Sequence, residues 1–354
     1  MKAWVLHNIG SISYEYVKEP QIGENEVLIA VKAAGICGSD IPRIYRDGAH
    51  QMPLIPGHEF SGEVVEVGSK ADKGWLHKRV GIYPLIPCKA CPPCQKGGYE
   101  MCRRYSYLGS RRDGGFAQYV AVPADNLIEL PDCVTYEQAA MLEPMSVAVH
   151  AMRRFPIEKT AAVTVCGLGT IGMLLVMLLR ERGIENIFAI GNKDYQRGTL
   201  LELGIGADNY CDSSDEDAAK WLMQRTDGQG TDIFFECVGK NETISQAVNL
   251  TAAGGKICLV GNPYTDMLLE KQTYWKILRN QLTVAGTWNS AFFVKEGSGI
   301  KEDTDWNYAL RLLGQKRIAP EKLISHRFGL EHLDKGFGIM KNKSEDFLKI
   351  MAVL

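Results

Sequence analysis

The run Val163-Thr164-Val165-Cys166-Gly167-Leu168-Gly169-Thr170-Ile171-Gly172 decides the fold of the second half of the chain. Its apolar start predicts a strand, and the apolar run Met173–Leu179 that follows predicts a helix. Between them stands the spacing G-x-G-x-x-G, in which the first glycine permits a tight turn, the second lets a pyrophosphate approach the backbone, and the third lets the helix pack on the strand. This context predicts a dinucleotide-binding site that includes the glycines, Thr170 and Ile171. A glycine-rich turn in an ordinary α/β domain is the alternative.

Strand-like segments continue after this run at residues 186–190, 232–236, 256–260 and 282–286. Their alternation with helical patterns is typical of βαβ units and predicts a doubly wound, Rossmann-type sheet. The chain before this region is β-rich, with strand-like runs at residues 27–31, 62–68 and 114–123. The change of pattern near residues 148–155 predicts a domain boundary.

The residues after the second predicted strand bear on the choice of cofactor. NAD-binding domains of this type carry an acidic residue here that bonds the ribose 2′-hydroxyl, but this chain has Gly191. Asn192 follows, and Lys193 and Arg197 are cations able to neutralise a 2′-phosphate. The sequence therefore favours NADP(H) among the nicotinamide cofactors, with Asp194 as the residue that would serve NAD.

The composition excludes some classes of partner. The chain has 354 residues, 45% of them apolar and 23% charged, with a net charge of −2. This is the profile of a globular protein and gives no reason to expect nucleic acid or an anionic membrane as a partner. The first residues contain no signal-peptide pattern, and the apolar run before Arg180 is far too short to span a membrane. We expect a cytoplasmic protein.

Four cysteines at short spacings form a lobe at residues 87–103. Cys88-x-x-Cys91-x-x-Cys94 is closed by Cys102. Four thiolates at such spacings fold around one tetrahedral Zn²⁺, which holds together a loop too small to have its own core. Two disulfides or an iron–sulfur cluster are the alternatives. The other cysteines have no further cysteine at metal-ligand spacing and are predicted to be core or near-surface thiols: Cys133, Cys166, Cys211, Cys237 and Cys258.

A second set of metal-ligand side chains lies between Cys37 and Glu59. Cys37-Gly38-Ser39-Asp40 and Gly57-His58-Glu59 bring a thiolate, an imidazole and a carboxylate close together in sequence, flanked by glycines. A catalytic zinc needs three protein ligands and one open position. The best candidate for a ligand from elsewhere is Glu143, in Leu142-Glu143-Pro144.

Taken together, these motifs resemble the zinc-dependent medium-chain dehydrogenase/reductase family over nearly the whole chain. The resemblance lies in Gly57-His58-Glu59-x-x-Gly62-x₅-Gly68, the four-cysteine lobe and the late G-x-G-x-x-G. It implies an α/β protein with a GroES-like catalytic domain, residues 1–150 and 287–354, and an inserted Rossmann dinucleotide-binding domain, residues 151–286. The active site would lie in the cleft, and the protein would be a homodimer or homotetramer.

Within the family, Gly109–Ala117 and Glu143 resemble the polyol branch, since alcohol dehydrogenases of the family place a second cysteine at the position of Glu143. The resemblance implies two zinc ions per chain. The catalytic zinc would be held by Cys37, His58 and Glu143, and Glu59 would be an additional ligand or a residue that orients the site. Ser39 would relay the substrate proton or act as a local turn-former. Hydride would pass between a polyol or polyol phosphate and nicotinamide.

A phosphorylated substrate needs cations near the site. Arg43 and Arg46 are three residues apart, and Arg111-Arg112 lies in a loop that the fold would bring to the same cleft. Arginine suits phosphate because its planar fork donates paired hydrogen bonds. The alternative is that all four are solvated surface residues. His50 is a further candidate for proton transfer.

In the returning segment, Trp288 and Asn289 follow the last predicted strand and are candidates for substrate contact, although Trp288 also suits packing. Helical spacing appears at residues 306–313 and 330–340, and Lys295 has no assigned role. Two other functions stay open: a non-catalytic nucleotide- or protein-binding relative, and a zinc-lacking reductase of activated alkenes. Retention of the catalytic set argues against both, because neither function needs an open metal position; the set consists of Cys37, His58, Glu59 and Glu143.

Overall fold

The structure is a computed structural model that describes residues 1–294 and 303–354; Lys295 lies outside them. The chain divides into two compact units, Met1–Ser146 with Ala291–Leu354, and Val147–Ser290. The ten cysteines are all free thiols. No helix formed by the described residues has the length and apolar character needed to cross a membrane.

The strands are β1 (Lys2–Asn8), β2 (Ser11–Tyr16), β3 (Glu26–Ile36), β4 (Glu59–Val67), β5 (Arg79–Ile82), β6 (Leu85–Ile86), β7 (Ser106–Tyr107), β8 (Tyr119–Pro123), β9 (Leu127–Glu129), β10 (Val163–Cys166), β11 (Ile187–Gly191), β12 (Tyr210–Asp212), β13 (Thr231–Glu236), β14 (Thr251–Leu259), β15 (Thr283–Gly286), β16 (Ile324–Phe328) and β17 (Lys349–Val353). The α-helices are α1 (Asp40–Pro42), α2 (Pro92–Gln95), α3 (Tyr136–Ala140), α4 (Leu142–Met152), α5 (Thr170–Glu181), α6 (Asp194–Glu202), α7 (Ala218–Arg225), α8 (Asn241–Leu250), α9 (Lys271–Arg279), α10 (Asp305–Gly314) and α11 (Leu333–Asn342). A π-helical turn, Arg43–Asp47, follows α1 directly.

The first unit is built on a largely antiparallel sheet in the order β16-β17-β3-β4-β5-β9, with β8 also paired to β3. Its core is apolar, and the rings of Trp4 and Phe116 each pack 5.6 Å from that of Phe337. The last residues of β3, Ala33–Ile36, are all buried. The strand β3 therefore ends in the interior of the unit, directly before the partly buried Cys37.

The second unit is a parallel sheet in the order β12-β11-β10-β13-β14-β15. The chain moves outward from β10 in one direction and then returns to place β13 on its other side. This reversal makes the carboxyl ends of β10 and β13 the switch point at which doubly wound sheets bind nucleotides. The predicted fold class, a GroES-like β-rich domain with a Rossmann domain, is confirmed.

Candidate metal centre and active site

The pairing of β3 with β4 brings together three metal-ligand side chains. Gly35 on β3 lies opposite Glu59, the first residue of β4, so Cys37, just beyond the end of β3, falls near His58 and Glu59. The ligand atoms of these last three residues lie within 4.8 Å of one another. His58 and Glu59 are buried, and Cys37 is partly buried. The structure thus brings Glu59, rather than Glu143, into the three-donor group.

Gly35 leaves the space that the Glu59 carboxylate occupies. A Cβ atom at this position would lie 2.5 Å from Oε2 of Glu59, closer than any van der Waals contact allows. Glycine is therefore needed opposite Glu59 for steric reasons.

Asp40 holds two of the three candidate ligands in place. Its carboxylate is fully buried, with Oδ2 accepting a hydrogen bond from the backbone N–H of Cys37 at 3.0 Å and Oδ1 lying 3.4 Å from Nδ1 of His58. Arg43 also donates to Oδ1. Asp40 is itself the first residue of α1, and the N-cap of this helix is Ser39. The side chain therefore orients the site instead of capping the helix.

Ser39 lies beside the candidate thiolate ligand. Its hydroxyl donates a hydrogen bond to Sγ of Cys37 at 3.3 Å. The residue makes no side-chain cap bond to α1. The local geometry places this hydroxyl next to the three-donor group, as the proton-relay role requires.

Glu143 lies close to the group but outside it. It stands in the first turn of α4, buried, and Oε1 accepts a hydrogen bond from the hydroxyl of Tyr107 at 3.2 Å. The ring of Tyr107 packs edge-on to that of His58, with 5.7 Å between centroids. Burial raises the pKa of Glu143 to about 7, and the nearby Glu59 also raises it while His58 lowers it. Tyr107 is a site residue that the sequence did not reveal.

Lys349 is the second residue that sequence reasoning missed. It begins β17, its side chain is only 2% exposed, and its Nζ forms an ion pair with Oε2 of Glu59. The same ammonium donates to the backbone carbonyl of Ile36 at 3.1 Å. The available signal was a single charge within the apolar run 347–353. A fully buried lysine in such a strand needs an anionic partner.

The charges around the three-donor group suit a divalent cation. Burial alone would lower the pKa of His58, but the neighbouring Asp40 and Cys37 raise it well above its ordinary value. The same concentration of negative charge attracts a metal ion, and a thiolate, an imidazole and a carboxylate are the donors that zinc takes. The residues present therefore fit a zinc ion.

The four-cysteine lobe has the geometry of a structural zinc site. The ligand atoms of Cys88, Cys91, Cys94 and Cys102 lie within 4.8 Å of one another. Sγ of Cys91 is 3.5 Å from that of Cys94 and 3.8 Å from that of Cys102. These separations exclude disulfides, whose sulfurs lie about 2.0 Å apart, and match the edges of a tetrahedron with Zn–S bonds of about 2.3 Å.

In the second unit, the glycine-rich turn has the predicted local geometry. Gly167 has φ +95°, and a Cβ on Gly172 would lie 2.0 Å from the carbonyl oxygen of Gly167. A Cβ on Gly169 would meet nothing within 4 Å, and α5 begins at the next residue, Thr170. The turn is thus open at the helix N-terminus, where its backbone N–H groups suit an anion.

At Gly191, where NAD-binding domains carry an acidic residue, the space for a side chain is filled by Gln196. A Cβ on Gly191 would lie 2.3 Å from Oε1 of Gln196, which accepts a hydrogen bond from the N–H of Asn192 at 3.0 Å. The amide of Gln196 also donates to the carbonyl of Leu168 in the glycine-rich turn, at 3.1 Å. Lys193 and Arg197 are both exposed. The exposed side chains near the end of β11 therefore include two cations.

The four arginines that the sequence grouped as phosphate ligands have different partners in the structure. Arg43 bonds to Asp40, Arg46 pairs with Asp47 at the surface, and Arg112 pairs with Glu26 at 2.6 Å. Arg112 also lines a small cavity of about 120 Å³ formed with the N-terminal residue and residues 119–121.

Arg111 differs from these three. Its guanidinium lies 4.6 Å from the ring centroid of Tyr105, which packs against Tyr107. Its Nε is buried and has no hydrogen-bond partner among the described residues. Burial lowers the pKa of His50, as do the nearby charges of Arg111 and Arg43. His50 therefore lies near both Arg111 and Arg43, and their charges favour its neutral form.

Trp288 and Asn289 belong to the second unit. Trp288 is about half exposed, at 48%. Asn289 is buried, and its Oδ1 accepts a hydrogen bond from the N–H of Ser290 at 2.8 Å. The side chain of Asn289 thus accepts a hydrogen bond from the backbone of the next residue, and Trp288 is only partly covered.

Comparison with known proteins agrees with this geometry. Residues 23–132 match the alcohol dehydrogenase GroES-like domain, and residues 170–311 match the zinc-binding dehydrogenase family. The chain belongs to the zinc-dependent medium-chain dehydrogenase/reductase family. It is a zinc-containing, nicotinamide-dependent oxidoreductase of the alcohol and polyol dehydrogenase class, as the sequence predicts.

Galactitol 1-phosphate 5-dehydrogenase of Escherichia coli (strain K12) is 34% identical over 308 residues, which is 87% of each chain. The crystal structure of galactitol-1-phosphate dehydrogenase from Escherichia coli superposes with a TM-score of 0.90 at 31% identity and covers 100% of both chains. Sorbitol dehydrogenase of Bacillus subtilis (strain 168) is 32% identical over 358 residues, 99% of this chain and 97% of that one. A putative zinc-binding dehydrogenase from Sinorhizobium meliloti 1021, solved bound to NADP, has a TM-score of 0.89 and 29% identity over 100% and 99% of the chains.

Proposed function

We propose that this enzyme transfers a hydride between a secondary alcohol of a sugar alcohol and NADP(H), and that its substrate is galactitol 1-phosphate, which it oxidises to tagatose 6-phosphate. The oxidation removes a hydride from carbon and a proton from the hydroxyl, giving a ketone, NADPH and H⁺. The observation that carries the proposal is the cluster of the partly buried Cys37 with the buried His58 and Glu59. It offers three donors and leaves a fourth position for an alcohol oxygen.

Each residue of the site has a part in this chemistry. When bound, zinc supplies Lewis acidity that lowers the pKa of the substrate hydroxyl. Cys37, His58 and Glu59 would hold it, Asp40 orients the first two, and Ser39 accepts the substrate proton for release to solvent. Glu143, which Tyr107 holds at 3.2 Å, stays a candidate ligand in the form of the site that lacks substrate.

The position of Arg111 supports a phosphorylated substrate. Arg111 is stacked on Tyr105, and its Nε makes no hydrogen bond within residues 1–294 and 303–354. A guanidinium placed over an aromatic ring can still donate hydrogen bonds to an anion from its N–H groups. Arg111 is therefore the proposed main phosphate contact, and Arg112, which pairs with Glu26, is not.

Kinetics on galactitol 1-phosphate and free galactitol test this proposal, with Arg112→Ala as the matched control for Arg111→Ala. We expect Arg111→Ala to lower kcat/KM for the phosphorylated substrate by about 10- to 100-fold, because a charge-assisted hydrogen bond is worth about 1.5–3 kcal/mol. Free galactitol should be affected little, and Arg112→Ala should resemble wild type on both. Equal efficiency of the wild type on the two substrates would overturn the phosphate assignment.

A non-phosphorylated polyol such as sorbitol, xylitol or butanediol is the second candidate substrate. The relatedness to Bacillus subtilis sorbitol dehydrogenase favours it, as do the carboxylate partners of Arg43, Arg46 and Arg112. The same kinetic screen, extended to these polyols, separates the two candidates. A non-catalytic relative is excluded if absorbance at 340 nm changes with substrate and the change stops after chelation.

The end of β11 supports NADP(H) as cofactor. Gly191 leaves no carboxylate to repel a 2′-phosphate, and Lys193 and Arg197 are exposed nearby. The relative from Sinorhizobium meliloti was solved with NADP. We expect the ratio of kcat/KM for NADP⁺ over NAD⁺ to exceed one and to fall in Lys193→Ala and Arg197→Ala. A strong NAD⁺ preference in the wild type would contradict the assignment.

We also infer a cytoplasmic homodimer or homotetramer. β15 is an edge strand of the second unit and is mostly exposed, and the neighbouring α9 exposes Tyr274, Trp275 and Leu278. Among the described residues β15 has no strand partner on its outer side, and such an edge together with exposed apolar side chains suits pairing with a second copy about a two-fold axis. Light scattering should give twice or four times the chain mass, and a charge at Val284, on β15, should reduce it. A monomeric wild type would refute this assembly, and cell fractionation tests the location.

A further inference from the structure

Glu236 occupies the switch point of the parallel sheet. It is the last residue of β13 and lies in register with Cys166, the last residue of β10. Its side chain is fully buried. A carboxylate without solvent contact is costly unless hydrogen bonds stabilise it, so its contacts indicate what it does.

All of the hydrogen bonds that the structure records for this carboxylate go to the loop and helix that follow β13. Oε1 accepts from the backbone N–H groups of Val238 and Gly239, at 2.9 and 2.8 Å. The hydroxyl of Thr243, in the first turn of α8, lies 2.7 Å from the same oxygen. Oε2 is buried and makes no hydrogen bond to the residues described. One oxygen therefore holds three donors together.

The loop that Glu236 holds is wedged between two glycine-containing turns. Cγ2 of Val238 lies 2.6 Å from the position that a Cβ on Gly167 would occupy, so this side chain packs directly against the glycine-rich turn. Gly239 has φ +84°, and a Cβ there would lie 2.0 Å from the carbonyl oxygen of Asn262. Small movements of residues 237–239 would therefore shift the backbone of both neighbouring turns, the one at Gly167 and the one at Asn262.

We propose that Glu236 is a positioning residue for the dinucleotide. By accepting hydrogen bonds from the N–H groups of Val238 and Gly239, it fixes the position of this loop relative to the glycine-rich turn. The loop and the turn together form the surface on which the cofactor would bind at the switch point. Glu236 itself does not touch the cofactor, since its carboxylate is enclosed. The inference rests on the proposed nicotinamide-binding function of this unit.

The test compares three variants with the wild-type enzyme by titrating NADPH fluorescence. Glu236→Gln keeps an Oε1 acceptor of the same reach and removes the charge, so Kd should stay within about threefold. Glu236→Leu removes the acceptor and leaves three donors unpaired, so Kd should rise about tenfold or more. Thr243→Val removes one donor of the three and should give an intermediate rise. KM for the cofactor should follow Kd, with kcat at saturation changed much less.

Thr231→Val is the stability control. Thr231 begins the same strand, is fully buried, and shares a 3.0 Å hydrogen bond with Thr164 at the far end of the sheet. The substitution Thr231→Val should lower Tm, because a buried contact is lost, but should leave Kd for NADPH unchanged. If Thr231→Val raised Kd for NADPH as much as Glu236→Leu does, with the same loss of Tm, the positioning role would be overturned.

The remaining outcomes are also decisive. Wild-type affinity in Glu236→Leu refutes the inference, and if that variant does not fold, wild-type affinity in Thr243→Val refutes it instead. Failure of the wild-type protein itself to bind NADPH or NADH refutes the proposed cofactor site, which is a different result.

Discussion

Removing the Lys349 ammonium should destabilise the first unit strongly. In Lys349→Met, the aliphatic stem is replaced by a side chain of similar volume, while Glu59 keeps its charge in a site where both side chains were 2% exposed. The Ile36 carbonyl also loses its 3.1 Å contact. Leaving one member of a buried ion pair uncompensated typically costs about 3–5 kcal/mol.

That cost converts into a large thermal shift. For folding units near 200 residues, each kcal/mol corresponds to about 2–4 °C, so Tm of Lys349→Met should fall by about 10 °C. The melting experiment is best run on chelator-treated wild type and variant alike, because bound zinc would neutralise part of the Glu59 charge. If Glu59 is a zinc ligand, adding zinc should reduce the difference in Tm between the wild type and Lys349→Met.

Two further proteins make this experiment decisive. Lys335→Met removes an exposed lysine on α11 and should change Tm by no more than about 2 °C. The double variant Lys349→Met/Glu59→Gln removes both charges and should recover much of the loss, since a neutral pair avoids the buried charge. A Tm for Lys349→Met within the range of Lys335→Met would refute the reasoning.

Three other substitutions test single features of the structure. Gly35→Ala puts a Cβ 2.5 Å from Oε2 of Glu59 and should lower the zinc content of the protein by about one ion per chain; a zinc content and an activity equal to those of the wild type would contradict the steric argument. Cys94→Ser should remove the lobe zinc and lower Tm while the other zinc stays bound, and an unchanged Tm would show that the lobe contributes no stability. Gly191→Asp meets Gln196 at 2.3 Å and should weaken binding of both NADP⁺ and NAD⁺, so that a clean switch to NAD⁺ by this change alone would argue against the packing described.

The features that the sequence predicts well are those whose parts lie close together in the chain. The glycine-rich turn depends on six consecutive residues between a strand and a helix, and its φ values and close approaches follow from the absence of side chains. The four-cysteine lobe likewise depends on short spacings. In both cases local backbone geometry alone brings the important atoms together.

The active-site details required contacts between distant segments. Lys349 and Glu59 are 290 residues apart, and no local pattern joins them. The neighbours Arg111 and Arg112 have equal standing in the sequence, but one stacks on Tyr105 and the other pairs with Glu26.

By itself, then, the amino-acid sequence determined the family, and it predicted the two metal-ligand sets and the dinucleotide turn. Only the tertiary structure decided which carboxylate joins Cys37 and His58, which cation balances it, and which arginine keeps an edge for an anion. The physical reason is that charge pairing in a protein interior depends on burial and on separations of a few ångströms, and chain segments far apart in sequence acquire both only when the sheet has formed.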